Sequence, residues 1–408
     1  MHSYYNIKIH KQNNTLLYLF ILTSVGFGQS SLIALIFKVL LIIPILVKSL
    51  STIYRYKCKG ADIFYKWICI IILYFWTSTL WAVNGSESIP ITITVSLNLI
   101  YCAMAYYLIG RSSYVLNKCI NCYMFGTIIF YVFLNFINGG GIGRDEGTGA
   151  SLLTLGHLSA ICTIICFYRL SGNSKKKYIY ILLFFLYFYF IIISGTRKAL
   201  FLPLISISLY YFLCQKFNGK IKAIFFSVIF LIIVYYLLMD IPLFYNLIGN
   251  RVEGLIAGFQ GEGKGVADAS TLQRLAFIEY GVEMIKQNLF WGYGPDSFIY
   301  MYGRSHSGFI AYSHNNFIEI AFSLGIIGLV AYYSIYYYIV KKLWRNFKNT
   351  HNRFNLLLLS LIIGVVIIHY GWVAYYSLPN NLLLTFCAVY AFKISNCGIS
   401  RQYKYITT

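Results

Sequence analysis

Tyr312–Ile335, YSHNNFIEIAFSLGIIGLVAYYSI, sets the class of this chain. A polar cluster, Ser313-His314-Asn315-Asn316, runs directly into an apolar segment that carries Gly325 and Gly328, with Glu319 one turn in. A helix satisfies its own backbone, so an apolar run of roughly 20 residues crosses hydrocarbon in that form. The polar groups at its mouth must then face water, substrate or protein rather than lipid. Ser313 or Asn315 can cap the helix by accepting from its first free N–H groups. His314 is the side chain suited to take a proton near neutral pH, although a histidine at such a boundary also serves as a hydrogen-bonded interface residue.

The same pattern recurs along the 408 residues, which are 59% hydrophobic and only 11% charged, with a mean hydropathy of +0.67. About twelve spans are predicted, near 15–28, 30–50, 63–83, 89–110, 115–137, 151–170, 178–194, 198–214, 221–239, 315–340, 354–371 and 373–393. The expected fold is all-α, a polytopic membrane helical bundle forming one integral membrane domain over 1–408. One large external loop, 240–313, interrupts it and contains a short amphipathic helix. The formal charge of +21 sits between apolar runs, as juxtamembrane anchors do, and not on a continuous aromatic-interleaved face, so nucleic acid is excluded as a partner. No cleavable signal peptide is expected, because Met1–Asn14 is polar and the first apolar run leads straight into another. Cys119 and Cys122 form a CxxC beside an apolar helix with no second pair, which argues against zinc or redox chemistry, and no disulfide framework is implied.

Lysine and arginine orient the bundle. With the N-terminus in the cytoplasm, the inside connections become basic: Arg55-Lys57-Lys59, Lys175-Lys176-Lys177, Lys216-Lys220-Lys222 and Lys341-Lys342-Arg345-Lys348-Arg353. The outside receives Arg144, Arg197, Lys198, Arg251, Lys264, Arg274, Lys286 and Arg304, and Lys38 falls within a span. Both termini are thus expected in the cytoplasm, with His314 and the long loop outside.

The outside connections differ in chemistry. Asn138–Ala150, NGGGIGRDEGTGA, is glycine-rich and carries Arg144; it reads as a solvated loop whose backbone could also approach a ligand. His157, a turn inside the next span, reads as a hydrogen-bonded bundle histidine. Ser194-Gly195-Thr196-Arg197-Lys198 joins two apolar helices by a link so short that both ends stay at the surface. Arg197 is held there against the charge bias, either snorkelling to anionic headgroups or offering its planar fork to phosphate oxygens. In the long loop, Asn250–Ala269 reads as mobile. Ser270 or Thr271 is expected to cap a helix over Leu272–Asn288, with Leu272, Leu275, Ile278, Val282 and Ile285 on one face. Arg274 would stand in its first turn against the helix dipole, which suggests an anionic partner, either a ligand or Glu279 or Asp268 of the chain itself. A tight turn, Phe290-Trp291-Gly292-Tyr293-Gly294-Pro295-Asp296, then returns the chain to the membrane, and Arg304 and His306 lead up to His314.

Taken together, the chain resembles the bacterial O-antigen ligase and O-antigen polymerase superfamily. Four features carry the resemblance. His314-Asn315, nine residues, then Gly325-Ile326-Ile327-Gly328 fits H-[NSQ]-x9-G-x-x-G. Ser194-Gly195-Thr196-Arg197 is similar to the family's S-x-S/T-R turn. Arg274 followed by MIKQNLFWGYGPDSF resembles its R…P-x-x-G-x-G-x-x-x-F passage, with Leu289 where proline is common. The layout of about twelve helices with a large outside loop before the histidine helix is the fourth. The similarity covers roughly 190–340, and the N-terminal half only by topology.

The resemblance implies transfer of a glycan from a polyprenyl (undecaprenyl-type) diphosphate to an acceptor hydroxyl, at the outer face of the bacterial cytoplasmic (inner) membrane, with no metal and no cofactor. That chemistry needs a base and cations for the departing diphosphate. His314 is the candidate base, and Arg197 and Arg274 are the candidate diphosphate clamps. Asn315, Arg144, Arg304 and Glu319 are further candidate substrate contacts. The partners implied are the lipid-linked oligosaccharide, membrane lipids and other polysaccharide-export proteins. The aromatic-rich, low-charge composition and the mobile loop favour a polymerase of O-antigen or capsular repeat units over a ligase that loads lipid A-core of lipopolysaccharide. A lipid-linked oligosaccharide flippase would need polar residues distributed through the bundle interior instead.

The orientation is open to direct test. Cysteines placed in 250–300 should react with an impermeant reagent in intact cells; protection of that region would put the whole candidate site on the wrong side.

Overall fold

The structure is a computed structural model that describes residues 14–27, 62–137, 152–172, 176–215, 269–306, 308 and 311–395, together with isolated helical positions at 229, 232, 236 and 240. Among these residues the chain is helical with no strand. The helices are α1 (Thr15–Gly26), α2 (Ile63–Ser78), α3 (Gly85–Ile109), α4 (Ser113–Ile137), α5 (Leu152–Leu170), α6 (Lys177–Ser194), α7 (Arg197–Cys214), α8 (Ala269–Gln287), α9 (Ser297–Ser305), α10 (Asn316–Thr350), α11 (Arg353–Ile368) and α12 (Leu378–Val389), the last continuing as a wider turn over Tyr390–Ile394. Eight of the described helical segments are long and apolar enough to cross a membrane, and Thr15–Gly26 and Leu378–Ile394 are shorter apolar helices. Large apolar side chains also face outward, Leu73, Phe136, Leu182, Phe185 and Val330 among them, which in a polytopic protein is the surface that meets lipid. The expected polytopic helical bundle is what the described residues form. The predicted 30–50 segment, and 221–239 apart from single positions, lie outside the described residues, as does the Arg144 loop.

The chain divides into two compact units, 1–61 with 100–194 and 377–408, and 62–99 with 195–376. In the first, α1 lies against α4 where Gly26 and Gly126 lack side chains: a Cβ on Gly26 would stand 2.9 Å from Ile129, and one on Gly126 the same distance from Val25. Tyr187 of α6 donates to the Met124 carbonyl of α4 at 2.8 Å, which places a polar tie in an apolar interior.

The second unit is built round α10, which packs against α2, α8 and α11, while α7 packs against α11. Gly325 interrupts α10 with φ 67° and ψ −176°, a conformation essentially restricted to glycine. Breaking a helix in hydrocarbon frees carbonyls and N–H groups that must be satisfied inside the protein. The turn 289–294 does this. Tyr293 and Gly294 donate N–H groups to the carbonyls of Phe322 (2.8 Å) and Ser323 (2.9 Å), and Ile326 donates to Leu289 (2.8 Å). Tyr74 of α2 donates its hydroxyl to the Leu324 carbonyl at 2.9 Å. A Cβ at Gly325 would collide with the Phe290 carbonyl. The glycines of 292–294 serve the same approach: Gly292 (φ 68°) and Gly294 (φ 90°) lie against the α10 break and Ala82 respectively.

Several local expectations are corrected. α8 begins at Ala269, so Ser270 and Thr271 lie inside its first turn and do not cap it, and Arg274 stands in the second turn. Its buried face is the predicted one only in part: Ile278 and Ile285 pack against the core, but Leu272, Leu275 and Val282 are exposed, while Phe277 is fully buried and Met284 packs beside it. α8 reaches α10 through Gly281, where any Cβ would meet Ile318, and this close approach rotates the helix away from its leucine stripe. A second loop helix, α9, packs Phe298 and Tyr302 into the same cluster with Phe277, Ile318 and Phe322. The predicted 373–393 helix starts only at Leu378. Ala374 and Tyr375 give their N–H groups to the Asn316 side-chain carbonyl (2.8 and 3.1 Å), and Pro379 occupies the first turn of α12, where a missing N–H costs nothing.

Gly325→Ala should combine an unfavourable φ with a backbone collision and cost more than the roughly 1–3 kcal/mol of conformational strain alone. Thermal unfolding of detergent-purified protein should show a clear drop in Tm or loss of the folded species; a wild-type curve would contradict the interlock.

Candidate active site

The approach to α10 fixes His314 from both sides. Glu319 is buried, and its Oε2 accepts the Ser313 N–H at 3.1 Å and the Ser313 hydroxyl at 2.6 Å. The Ser313 Oγ also lies 3.3 Å from the Asn315 N–H, which donates to it. Asn315 caps α10, its Oδ1 accepting from Phe317 (2.9 Å) and Ile318 (3.2 Å). Between these anchored neighbours His314 adopts φ 54°, an uncommon conformation for a residue with a side chain and one that persists where its surroundings dictate it. Its ring packs against Tyr312 at a tilt of 35° (centroids 4.0 Å) and stacks nearly parallel, at 14°, on Phe277 of α8 (5.8 Å). Asn315 is therefore engaged as a helix cap, and Glu319 braces the loop from its far side.

α8 carries Phe277 and, three residues earlier, Arg274. Residues three apart share a helix face, so the helix that stacks on His314 also brings a guanidinium to it. α7 supplies two more cations. Arg197 is its first residue and is only 8% exposed, following Gly195 at φ 57° and Thr196. Lys198 comes next, with its arm along Gly371. Burial, then the positive charges of Lys198 and Arg274, push the His314 imidazole down from its ordinary value to about 3, so it is neutral across the physiological range. The sequence-predicted histidine and Arg274 are thus brought together, and Arg197 joins them through Lys198, on which both arginines act. Arg304 is elsewhere engaged, exposed on α9 with its guanidinium over the Tyr300 ring and 3.3 Å from that hydroxyl.

Lys198 is the member that sequence reasoning passed over, having been read only as one outside basic residue among several. The signal was its adjacency to Arg197, just after the short link between two apolar helices. Asp296 was read only as the end of a turn. It precedes α9 with φ 61°, and burial, then the Glu87 carboxylate, push its carboxyl up to about 6. Asn316 forms a separate polar chain, donating from Nδ2 to Tyr333 (2.9 Å), whose hydroxyl lies 3.1 Å from Nδ1 of the buried His369. An open cavity of about 550 Å³ lies beside the 288–293 turn, lined by Trp81, Val83, Asn288, Trp291, Gly292 and Tyr293. None of the sequence-predicted site residues lines it. Among the described residues no group of three or more His, Cys, Asp or Glu side chains could hold a metal ion.

Residues 182–333 match the O-antigen ligase family. The matched segment takes in every residue of the His314 group: Arg197, Lys198, Arg274, His314 and Glu319. No curated protein matches the chain. The matched segment runs from α6 into α10, ending beyond the Gly325 break, and the two motifs that interlock there both lie within it.

Asp296 gives this segment a pH-dependent stability. Its folded-state pKa is raised above the ordinary value near 4, so its contribution is fully present below that value and is lost as pH rises through about 6. Tm of the wild type should fall between about pH 4 and pH 6, and Asp296→Asn should flatten that part of the profile. An unchanged slope in Asp296→Asn would assign the titration to another group.

Proposed function

We propose that this protein is a membrane glycosyltransferase that polymerises polyprenyl-diphosphate-linked oligosaccharide repeat units of a surface polysaccharide, O-antigen or capsular, at the outer face of the cytoplasmic membrane. The observation that carries the reading is a neutral histidine held rigidly beside cations inside a segment that matches the O-antigen ligase family. In this reading His314 takes the proton of the acceptor hydroxyl while Arg197 and Arg274 hold the diphosphate. Arginine's fork makes paired contacts to phosphate oxygens and so does the work that a divalent cation does elsewhere. Glu319 contributes by fixing Ser313, and through it the His314 backbone, rather than by touching the donor. A direct displacement by the acceptor oxygen inverts the anomeric centre. The acceptor is taken to be a growing lipid-linked chain, on the ground of composition.

The burial that keeps His314 neutral also bears on pH dependence. No activity loss from His314 protonation is expected between pH 7 and 5 in kcat/KM, which reports the free enzyme.

The test has two parts. Gene deletion should leave single repeat units on the carrier or on the lipid core; loss of glycan from the core with polymer accumulating on the carrier would make the protein a ligase. With purified protein and a lipid-linked donor, His314→Gln should lose on the order of 10²–10⁴ in turnover while still binding donor. Arg197→Ala and Arg274→Ala should lose donor binding, with Arg→Lys only partly restoring it because a point charge cannot make two parallel contacts. Wild-type turnover in His314→Gln would remove it from the role of base.

A further inference from the structure

The cation group around His314 holds one charge more than the proposed clamp uses. Lys198 is the second residue of α7, where the backbone N–H groups are not used within the helix and its positive end lies. Its arm is accommodated only because residue 371 is glycine: a Cβ there would stand 2.9 Å from Lys198 Cε and 3.5 Å from Nζ. The charges that act on Lys198 are those of Arg274 and Arg197, both of its own sign. Among the described residues its ammonium makes no hydrogen bond and no ion pair. An ammonium in the field of two guanidiniums and without a partner among the described residues, at a helix end that itself favours anions, is unfavourable until an anion arrives.

We propose that Lys198 is a third phosphate ligand of the glycan donor and takes the phosphate bonded to the transferred sugar. The inference rests on the reading of the site as one for a polyprenyl diphosphate. The order of charges assigns the phosphates. Lys198 lies along Gly371, a few residues before Ala374 and Tyr375, which bond the Asn316 side chain next but one to His314, and Arg274 is three residues before the Phe277 ring that stacks on His314; both charges act on the imidazole. His314 must stand at the acceptor hydroxyl, and therefore beside the anomeric carbon. The cations nearest to it meet the phosphate on that carbon, which leaves Arg197 for the lipid-side phosphate.

In the transfer step the acceptor oxygen bonds to the anomeric carbon as its proton passes to His314. The bond from that carbon to the proximal phosphate oxygen breaks, and polyprenyl diphosphate departs with the electron pair. The charge that develops on the leaving oxygen meets the Lys198 ammonium, a compact three-donor charge suited to one oxygen. The imidazolium then gives its proton to water. The arrangement also couples donor to base. Lys198 and Arg274 hold the proton affinity of His314 down in the free protein, and the phosphates offset those charges, so the base strengthens when the donor is in place.

The experiment compares Lys198→Met and Lys198→Arg with Arg197→Ala and Arg274→Ala in purified full-length protein. It measures binding of polyprenyl diphosphate and turnover of a lipid-linked donor over pH 4–8. Lys198→Met should lose on the order of 10²-fold in kcat, as when one charge-stabilising donor is removed, with a much smaller change in KM, and Lys198→Arg should recover part of it. The acid limb of kcat/KM should move to higher pH in Lys198→Met, because one of the charges opposing His314 protonation is gone; a merely structural role would leave it in place. Should Lys198→Met fail to fold, Lys198→Cys alkylated with 2-bromoethylamine supplies the same readout, with activity returning only when the cation is rebuilt. Wild-type kcat and an unmoved acid limb in Lys198→Met, or no gain on alkylation of Lys198→Cys, would overturn the assignment. If Arg197→Ala and Arg274→Ala both bind polyprenyl diphosphate normally, the diphosphate reading itself fails; if they lose binding while Lys198→Met behaves as wild type, only the Lys198 assignment does.

Discussion

The second unit of this protein depends on a helix that is broken inside the membrane-spanning region and repaired by a loop. At Gly325 the ladder of α10 stops, and the carbonyls of Phe322 and Ser323 are taken up by the N–H groups of Tyr293 and Gly294. Water cannot reach such groups in hydrocarbon, so the loop has to supply their partners. Three short backbone bonds therefore tie the loop to α10 at one register. Because α8 and α9 flank that loop, the same bonds fix where Phe277 and Arg274 stand relative to the start of α10.

The electrostatics follow from that registration. α8 presents Phe277 as the stacking surface for His314 and Arg274 as a charge beside it. α7 begins at Arg197, directly after the short Gly195-Thr196 turn, which brings two consecutive cations to the same place. On the neutral side of the loop, Glu319 binds Ser313 and lies in electrostatic reach of Asp296, Tyr375 and Tyr376. Acid and base are thus segregated across a few residues: cations act on the His314 ring, and the buried carboxylate holds the backbone behind it. A carboxylate facing the imidazole would have strengthened its hold on a proton; here the charges that face it are positive, and they weaken that hold.

This division gives the two glycine-bearing motifs separate physical reasons. In the histidine motif, Gly325 is required by its backbone conformation, whereas Gly328 is required by space, since a Cβ there would stand 2.7 Å from the Tyr74 ring. In the aromatic turn, Gly292 and Gly294 combine both demands. The match to the O-antigen ligase family spans both motifs and the cation group, so the part of the chain that carries the proposed chemistry is also the part in which these constraints are concentrated.

What the sequence determined by itself was the class of the protein and the side chains of its candidate site. Apolar runs of spanning length fix a helical membrane protein, because no other open arrangement satisfies the backbone in lipid. His314, Arg197 and Arg274 were legible because charged and titratable groups are conspicuous at the ends of apolar helices. Periodicity was a poorer guide on α8. Its leucine stripe, Leu272, Leu275 and Val282, is exposed, and the face marked by Gly281 and Phe277 is buried, because close approach to Ile318 mattered more than the number of leucines. Lys198 could not be separated in the sequence from an ordinary anchoring lysine. Its meaning depends on Arg274 arriving from a helix more than seventy residues away and on the space left by Gly371. The roles of Asn315 and Glu319 were likewise decided only by folding, since whether an amide caps a helix and whether a carboxylate meets a histidine or a serine is set by the path of the backbone between them.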